Sequence, residues 1–354
     1  MNEVFLSFLP IIFAILLGLA VLIYVILDGY DLGIGLLMFR ASKKDKDLMI
    51  SSIGPFWDAN ETWLVLAVGI LLVAFPASYG EILTSLYLPT TLMLIGLILR
   101  GVAFDFRSKA KDHHQATWDV VFSVGSFLVS FMQGFMLGSY ILGFANSIYA
   151  LIFNIICGAC LCFGYCLLGS SWLILKTEQE LQKKAVKMAI TSLYFTIIGM
   201  IIISIITPLT SDRIFDKWFS LPNFFYLMPM PIIGGFLSFM LLAILKKMPL
   251  PQDKHSYLPM LLTVGIFVVC FVGIAYSFYP FIVPEKILIQ DTNVSKQSLL
   301  IIFAGVVVVL PCIIAYTIFS YWVFLGFYNL IDTKTLLIGY LFAYKNHIQK
   351  ENNN

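Results

Sequence analysis

The sequence has few charged residues, and this shortage excludes most soluble folds. Aspartate, glutamate, lysine and arginine make up 12% of its 354 residues, about half of the roughly 25% in an average soluble domain. Hydrophobic residues make up 60%, against about 45 to 50% in soluble domains. The formal net charge is only +2, so no overall field favours a nucleic-acid partner. We therefore expect a polytopic membrane protein that contacts lipids and binds no nucleic acid.

Histidine and cysteine are also scarce where they could hold a cofactor. The four histidines fall in predicted loops or in the polar C-terminal tail, at His113, His114, His255 and His347. A haem inside the membrane needs axial ligands such as His or Met, and the 13 methionines show no diagnostic spacing. The six cysteines lie inside apolar runs, which does not fit a disulfide framework. We expect no haem, no other cofactor and no metal site in this chain alone.

The apolar residues form runs that are long enough to cross a membrane as helices. A span needs about 20 mostly apolar residues, and backbone groups in lipid must bond within the segment. The N-terminus lacks the basic region of a signal peptide, so we expect the first run to stay in the protein. Pro55 lies inside the second run and predicts a kink there. The nine predicted spans lie near residues 5–27, 53–76, 81–104, 117–143, 148–175, 187–208, 224–245, 258–283 and 299–328.

Basic residues are divided unevenly between the two sets of loops. If the N-terminus lies outside, the loops and tail on the inner side hold 17 of the 22 lysines and arginines, and the outer loops hold four. The remaining one, Arg100, lies within a span. Cytoplasmic loops carry the excess of positive charge in membrane proteins. We therefore predict an outside N-terminus and a cytoplasmic C-terminus, which an odd number of spans allows.

The first predicted span leads into a stretch with two carboxylates. VILDGYDLGIGLL, residues 25–37, contains Asp28, Asp31 and three glycines. A carboxylate at the centre of a membrane helix costs about 2.5 to 3.5 kcal/mol on insertion scales. The two aspartates are three residues apart and share one helix face, and the glycines allow another helix to come close. We expect this face to point inward, away from lipid.

The second predicted span begins with a similar polar stretch. IGPFWDANETWLVL, residues 53–66, places Asp58, Asn60 and Glu61 beside Trp57. Asp58 and Glu61 are also three residues apart on one face. Carboxylates that close to one another do not all ionise easily. We expect at least one acid of each pair to keep or share a proton, and we expect Asp58 to be buried.

Arg100 is the predicted counter-ion of these acids. It lies inside the third predicted span, whereas Asp105 and Arg107 end that span at the face with the basic loops. The charges of the first three spans therefore gather in the half of the membrane nearest those loops. Ionisable residues inside a membrane commonly mark ion or proton pathways. The same charges could also serve only to hold three helices together.

Four motifs together resemble one known family. They lie in the order in which the family has them, on a nine-helix chain, and the resemblance extends over almost the whole sequence. The family is subunit II of the cytochrome bd quinol oxidases. The motifs are DGYDLGIGLL (28–37), GPFWDANETWLV (54–65), LRGVAFDFRSK (99–109) and YPFIVP (279–284).

This resemblance implies a fold, partners and a location. Two four-helix bundles would cover residues 1–145 and 146–284, and a peripheral ninth helix with a cytoplasmic tail would follow at 285–354. The partner would be a haem-bearing subunit I with two b-type haems and one d-type haem, which oxidises quinol and reduces oxygen to water. The complex would lie in the bacterial inner membrane. Some relatives also have small single-span subunits or a non-catalytic quinone, whereas this subunit carries no haem.

The resemblance also assigns roles to individual acids. Asp58 matches the acid that relatives use in a proton route from the cytoplasm, and Asp105 matches a second acid near that route. Glu61 departs from the commonest family pattern of Gln or His, and the extra acid could lengthen the route. The remaining residues of the predicted polar cluster are Asp28, Asp31, Trp57, Asn60 and Arg100.

Two other functions remain open on the sequence alone. A secondary ion-coupled transporter also needs intramembrane carboxylates, although such transporters pair broken helices in corresponding halves near the midplane. A purely structural subunit would use the carboxylates only to join helices. A co-purifying haem protein would exclude the transporter, and neutralising Asp58 would distinguish the structural subunit from a proton route.

Overall fold

The chain is described by a computed structural model over residues 3–209, 212–250 and 255–326. Within these residues, nine helices are long and apolar enough to cross a membrane, so the predicted number of spans is confirmed. The chain divides into two units, residues 1–299 and 300–354. The elements are α1 (Glu3–Leu37), α2 (Lys43–Ile53), α3 (Trp57–Ala74), α4 (Pro76–Ser85), α5 (Tyr87–Lys109), α6 (Asp112–Ile141), α7 (Ile148–Lys176), α8 (Gln179–Leu209), α9 (Asp212–Phe219), α10 (Asn223–Leu227), α11 (Pro229–Leu245), α12 (Leu258–Phe278), β1 (Phe281–Val283), β2 (Ile287–Leu288) and α13 (Lys296–Gly326).

The first helix is longer than the sequence predicts. It continues past residue 27 through Asp28 and Asp31 to Leu37, and a 3-10 turn, Met38–Arg40, follows it. A hydropathy pattern stops at the first carboxylate, but the hydrogen bonds of a helix join only backbone groups. Both aspartates therefore lie on regular helix.

The segment before the second span also differs from the prediction. The first basic loop contains α2, whose N-cap Ser42 accepts a hydrogen bond from the Asp45 N–H. Residues 54–56 form a turn between α2 and α3, so the predicted kink at Pro55 is wrong. Proline has no N–H with which to continue a helical ladder, and here it separates two helices. The second span consequently begins at Trp57.

Two further spans have ends that the sequence does not predict. The third predicted span, 81–104, covers parts of two helices, α4 and α5. The eighth, 258–283, ends at Phe278, because the apolar residues that follow form β1, which pairs antiparallel with β2. The Tyr140 hydroxyl on α6 donates a hydrogen bond to the Ile282 carbonyl at 2.8 Å. The YPFIVP motif therefore forms part of a hairpin that is bonded to α6.

Glycines permit the closest contacts between helices of the first unit. α1 packs against α3, α6 and α7, and a methyl group on Gly33 would overlap the carbonyl oxygen of Tyr165. Gly169 of α7 meets the Gly33 backbone at the same contact. The close approach predicted for the glycine-rich end of α1 is thus confirmed. It places Asp28 and Asp31 in the protein interior.

The second unit is described only through the remainder of α13, residues 300–326. The end of the ninth predicted span and the predicted cytoplasmic tail lie outside the described residues. The division into four-helix bundles at 1–145 and 146–284, with a peripheral part at 285–354, stays a prediction.

Candidate functional site

Arg100 lies at the centre of three carboxylates. Its Nη1 is 2.6 Å from Asp28 Oδ1 and 2.9 Å from Glu61 Oε1, and its Nη2 is 3.7 Å from Asp31 Oδ2. Asp28, Asp31 and Arg100 are fully buried, while the Glu61 side chain is 26% exposed. Arg100 is thus the counter-ion that the sequence predicts. We call these four residues the Arg100 cluster.

Three helices supply the Arg100 cluster. Two carboxylates come from α1, one comes from α3, and the guanidinium comes from α5. Two glycines allow α5 and α6 to approach closely. A methyl group on Gly96 would meet the Gly125 backbone, and one on Gly125 would meet the Arg100 backbone. This contact fixes the backbone at Arg100, and the long side chain reaches the acids from there.

Asn60, which the sequence places in the polar cluster, holds the second aspartate in place. Its Nδ2 donates to Asp31 Oδ2 at 2.8 Å and lies 2.8 Å from the Tyr30 hydroxyl. The Tyr30 ring stacks on Trp172 of α7, with ring centroids 4.2 Å apart. Trp172 Nε1 in turn donates to the Ser52 carbonyl at the end of α2. The surroundings of Asp31 are therefore fixed from four helices.

A second set of polar groups, which sequence reasoning missed, lies beside Asp28. The Tyr24 hydroxyl on α1 accepts a hydrogen bond from Gln133 Nε2 on α6 at 2.6 Å. The Tyr165 hydroxyl on α7 donates to Gln133 Oε1 at 2.5 Å. The one sequence signal is the four-residue spacing of Tyr24 and Asp28, which puts both on the same face of α1.

The Arg100 cluster contains more acid than base. Three carboxylates surround one guanidinium, and three of the four side chains are fully buried. Uncompensated charge is strongly disfavoured in such a place, and neighbouring acids share protons. The surplus of acid fits the expectation from the sequence that these acids keep or share a proton, which stays a prediction. Glu61 is the member of the cluster that reaches the surface of this chain.

Asp58 and Asp105 lie outside the Arg100 cluster. Both are exposed on the surface of this chain, so the expectation that Asp58 is buried is wrong for the chain by itself. The reason is that α3 begins at Trp57, which puts Asp58 on its first turn. Asp58 is close enough for its charge to act on Glu61. Trp57 packs against Phe104, with ring centroids 4.8 Å apart, and does not join the polar groups.

A second group of ion pairs joins the end of α5 to α2 and α6. Arg107 Nη2 is 2.6 Å from Asp47 Oδ1, and Arg107 Nε is 2.5 Å from Asp119 Oδ1. Lys46 Nζ lies 3.6 Å from the other oxygen of Asp119. The sequence placed Arg107 beside Asp105, but the ion-pair partners of Arg107 come from two other helices.

α2 is also joined to α8. Lys184 Nζ lies 2.7 Å from Asp45 Oδ2, and the Ser42 hydroxyl donates to the same oxygen at 2.7 Å. Although partial burial acts to raise the pKa of Asp45, the hydrogen bonds from Lys184 and Ser42 hold that pKa below its usual value. α2 thus links the ends of α5, α6 and α8 through ion pairs.

The described histidines lie at the ends of helices. His113 and His114 are in the first turn of α6, although the sequence places them in a loop. His255 is in a turn before α12, and His347 lies outside the described residues. Among the residues that the structure describes, no group of three or more His, Cys, Asp or Glu side chains is arranged to hold a metal ion.

Comparisons with known proteins identify related sequences. The family model described as cytochrome bd terminal oxidase subunit II matches residues 9–324. The chain is 34% identical to cytochrome bd ubiquinol oxidase subunit 2 of Bacillus subtilis over 180 residues, which is 46% of this chain and 52% of that protein. It is 25% identical to a probable cytochrome oxidase subunit 2 of Haemophilus influenzae, over 89% of this chain and 94% of that protein. It is 24% identical to cytochrome bd-I ubiquinol oxidase subunit 2 of Escherichia coli, over 90% of this chain and 94% of that protein.

A solved structure has a similar fold. It is the bd oxidase from Geobacillus thermodenitrificans, and the match covers 89% of this chain and 99% of that chain with a TM-score of 0.69. The sequence identity is 15%, so this likeness concerns the fold alone. The predicted class, an all-α integral membrane protein, is confirmed.

Proposed function

The chain belongs to the family of cytochrome bd terminal oxidase subunit II, and we propose that it is a haem-free subunit that supplies part of the proton route of a quinol oxidase. Family membership makes it a subunit of a terminal oxidase complex, an oxidoreductase, and implies a subunit I as partner. In the proposed reaction, quinol is oxidised to quinone, and oxygen is reduced to water. The transporter alternative is not retained.

The proposed complex has a defined division of labour. Subunit I holds two b-type haems and one d-type haem, and the present chain stabilises it in the bacterial inner membrane. Small single-span subunits and a non-catalytic quinone are further components that the resemblance allows. We propose that α2 and the end of α5 lie on the cytoplasmic side, which the excess of basic residues in these loops supports. That is the side from which we propose that protons are taken.

The observation that carries the proposal is the Arg100 cluster. Forming water from oxygen consumes protons at a buried site, and lipid supplies none unless titratable groups or ordered waters relay them. The cluster offers carboxylates that share protons inside the membrane, and Glu61 connects it to the surface of this chain. A cluster that only joined helices would need no surplus of acid over base.

Asp58 is the proposed entry to this route. It is exposed on the first turn of α3, one turn before Glu61, and Asp105 is exposed near the end of α5. We propose that the partner subunit covers the surface around Asp58. In each step a proton leaves one carboxylic acid for the next carboxylate, either directly or through water, so the donor becomes the new carboxylate. A positioned carboxylate suits this task because it both accepts and donates a proton.

Replacing Asp58 by asparagine tests the proposal. Asp58→Asn keeps the size and hydrogen bonding of the side chain but removes its titratable proton. We expect a complex with normal haem content that loses most of its quinol-driven oxygen consumption. Asp105→Asn should be milder, and Asp28→Asn should impair assembly because it removes the shortest ion pair of Arg100. Asp212→Asn, at an exposed site on α9, is the matched control.

Oxygen consumption is measured on the purified complex over a range of pH around neutrality. Asp58→Asn must be compared at equal haem content, so that a failure of assembly is not taken for a loss of proton transfer. If Asp58→Asn assembles and respires like the wild type at every pH, the relay role is excluded. The structural alternative, in which the acids only join helices, would then stand.

A further inference from the structure

Two hydrogen bonds link Tyr24, Gln133 and Tyr165, and the atoms involved determine which group donates each bond. We call these three residues the hydrogen-bond chain. The Gln133 carbonyl oxygen carries no hydrogen, so the Tyr165 hydroxyl is the donor between them. The Gln133 amide nitrogen donates to the Tyr24 hydroxyl, and the Tyr24 hydrogen must therefore point elsewhere. Asp28 follows Tyr24 by one turn on the same face of α1. Within the described residues its oxygens lack a hydrogen bond of regular geometry, so Asp28 is the available acceptor.

We infer that this chain fixes Asp28 as a carboxylate, so that Asp31 and Glu61 hold the proton that the Arg100 cluster can release. The inference rests on the proposed function and deepens it, because it separates a fixed anion from the acids that exchange protons. Asp28 has the shortest contact with Arg100, at 2.6 Å. A nearby cation favours the charged form of a carboxylate, and so does a hydroxyl group that is free to donate to it. Arg100 is the cation beside Asp28, and the Tyr24 hydroxyl is the neutral donor.

Asp31 is less suited to a negative charge. It lies 3.7 Å from Arg100 Nη2, and the hydrogen bond that it receives from Asn60 comes from a neutral amide. The negative charge of Asp28, one turn away on the same face, acts against a second one. Glu61 pairs with the same arginine at 2.9 Å, and its side chain is 26% exposed. A proton shared by Asp31 and Glu61 is therefore favoured by the charge of Asp28, and it can leave through the exposed edge of Glu61.

Gln133 also limits where protons can travel. Its amide donates and accepts hydrogen bonds but does not titrate as an acid or a base. A proton on Asp28 consequently cannot pass through Gln133 to Tyr165. The hydrogen-bond chain supports Asp28 but does not conduct protons. The titratable groups that face the cluster are Tyr24, Asp28 and Asp31 on α1, Asp58 and Glu61 on α3, Arg100 on α5, and Tyr165 with Cys162 beside it on α7.

Infrared difference spectroscopy of the purified oxidase complex can test this assignment. A protonated carboxyl group gives a C=O stretching band that a carboxylate lacks, and the band shifts when aspartate is exchanged for glutamate. These exchanges keep the number of charges unchanged. We expect Asp31→Glu to shift a band of the wild-type complex and Asp28→Glu to leave every such band in place. A band that moves with Asp28→Glu in the wild-type background would overturn the inference.

Variants of the chain supply the second part of the test. In a Tyr24→Phe background Asp28 has lost its donor, and we expect Asp28→Glu to shift a protonated-carboxyl band there. Gln133→Leu breaks the same chain from α6 and must change the spectrum in the same way. Tyr140→Phe, which removes a hydroxyl bonded to a distant carbonyl, is the matched control and should change nothing. If Tyr24→Phe and Gln133→Leu both behave like this control, the chain has only a structural role.

The measurement does not depend on turnover. It reports which acids of the Arg100 cluster are protonated even if Asp58→Asn respires normally. A failure of the proton-entry proposal and a failure of this assignment are therefore distinguishable.

Discussion

Arg100→Gln should destabilise the protein strongly, because it leaves the three acids around a neutral amide, without a cation. Removing one partner of a buried ion pair costs about 3 to 5 kcal/mol. Arg100 has two carboxylates within 2.9 Å and a third at 3.7 Å, but protonation of those acids would limit the loss. We therefore expect the lower end, about 3 kcal/mol. At about 2 to 4 °C per kcal/mol for a large domain, the unfolding midpoint should fall by roughly 6 to 12 °C.

The assay is thermal unfolding of the detergent-purified complex, followed by tryptophan fluorescence. Arg40→Gln is the matched control, since the same change is made at an exposed arginine after α1, where substitutions alter stability by about 0.5 kcal/mol or less. Adding Asp28→Asn to Arg100→Gln removes the acid that was closest to the lost cation. The double variant should recover part of the stability, with a coupling energy of about 0.5 to 3 kcal/mol.

Two results would refute this reasoning. If Arg100→Gln unfolds at the same temperature as Arg40→Gln, the acids are neutral without their cation, and Arg100 is not needed as a counter-ion. If Asp28→Asn brings no recovery, the loss arises from packing around the long arginine side chain and not from uncompensated charge.

Three other measurements test the fold and its orientation. Gly33→Ala should lower the free energy of unfolding by about 1 to 3 kcal/mol, because its methyl group would overlap an α7 carbonyl. Thermal unfolding should show a lower midpoint for Gly33→Ala, whereas Gly80→Ala, with open space around it, should leave the midpoint unchanged. Lys184→Gln should lower stability by about 1 kcal/mol or less at neutral pH. That difference should vanish in acid. The pKa of Asp45 is lower in the folded protein than in the unfolded one, so the ion pair stabilises the fold above the unfolded pKa and loses this effect as the pH falls through the folded pKa. An equal difference at both pH values would contradict it. A reporter that is active only in the cytoplasm should be active when fused after Lys350, and its inactivity beside an active periplasmic reporter would reverse the predicted orientation.

The number of spans could be predicted from the sequence, but several of their ends could not. The length and hydropathy of a run decide whether it can cross a membrane. α1 nevertheless continues past Asp28, because this carboxylate pairs with Arg100 on α5. The hydropathy of a single segment cannot show a partner on another helix. Pro55 occupies a turn for a similar reason, since the polar α2 before it is held by ion pairs with other helices. The apolar motif YPFIVP resembles the end of a helix, yet much of it lies in a hairpin.

The charged residues of the site could be predicted, whereas its neutral residues could not. An arginine and several acids in neighbouring spans need one another, which identifies Arg100 from sequence alone. Tyr24 and Gln133 are 109 residues apart, and single neutral polar side chains are common in membrane helices. The exposure of Asp58 was missed because hydropathy does not show which face of a span the chain itself covers.

The order of synthesis separates the members of the Arg100 cluster in time. Arg100 follows Asp28 by 72 residues, and at about 5 to 20 residues per second a ribosome needs roughly 4 to 14 s to make that segment. α1 therefore reaches the membrane before its cation exists. During this interval its two acids must enter lipid in their neutral form or wait in the insertion machinery. A nascent chain that stops before α5 would keep this helix with its two acids and without their cation.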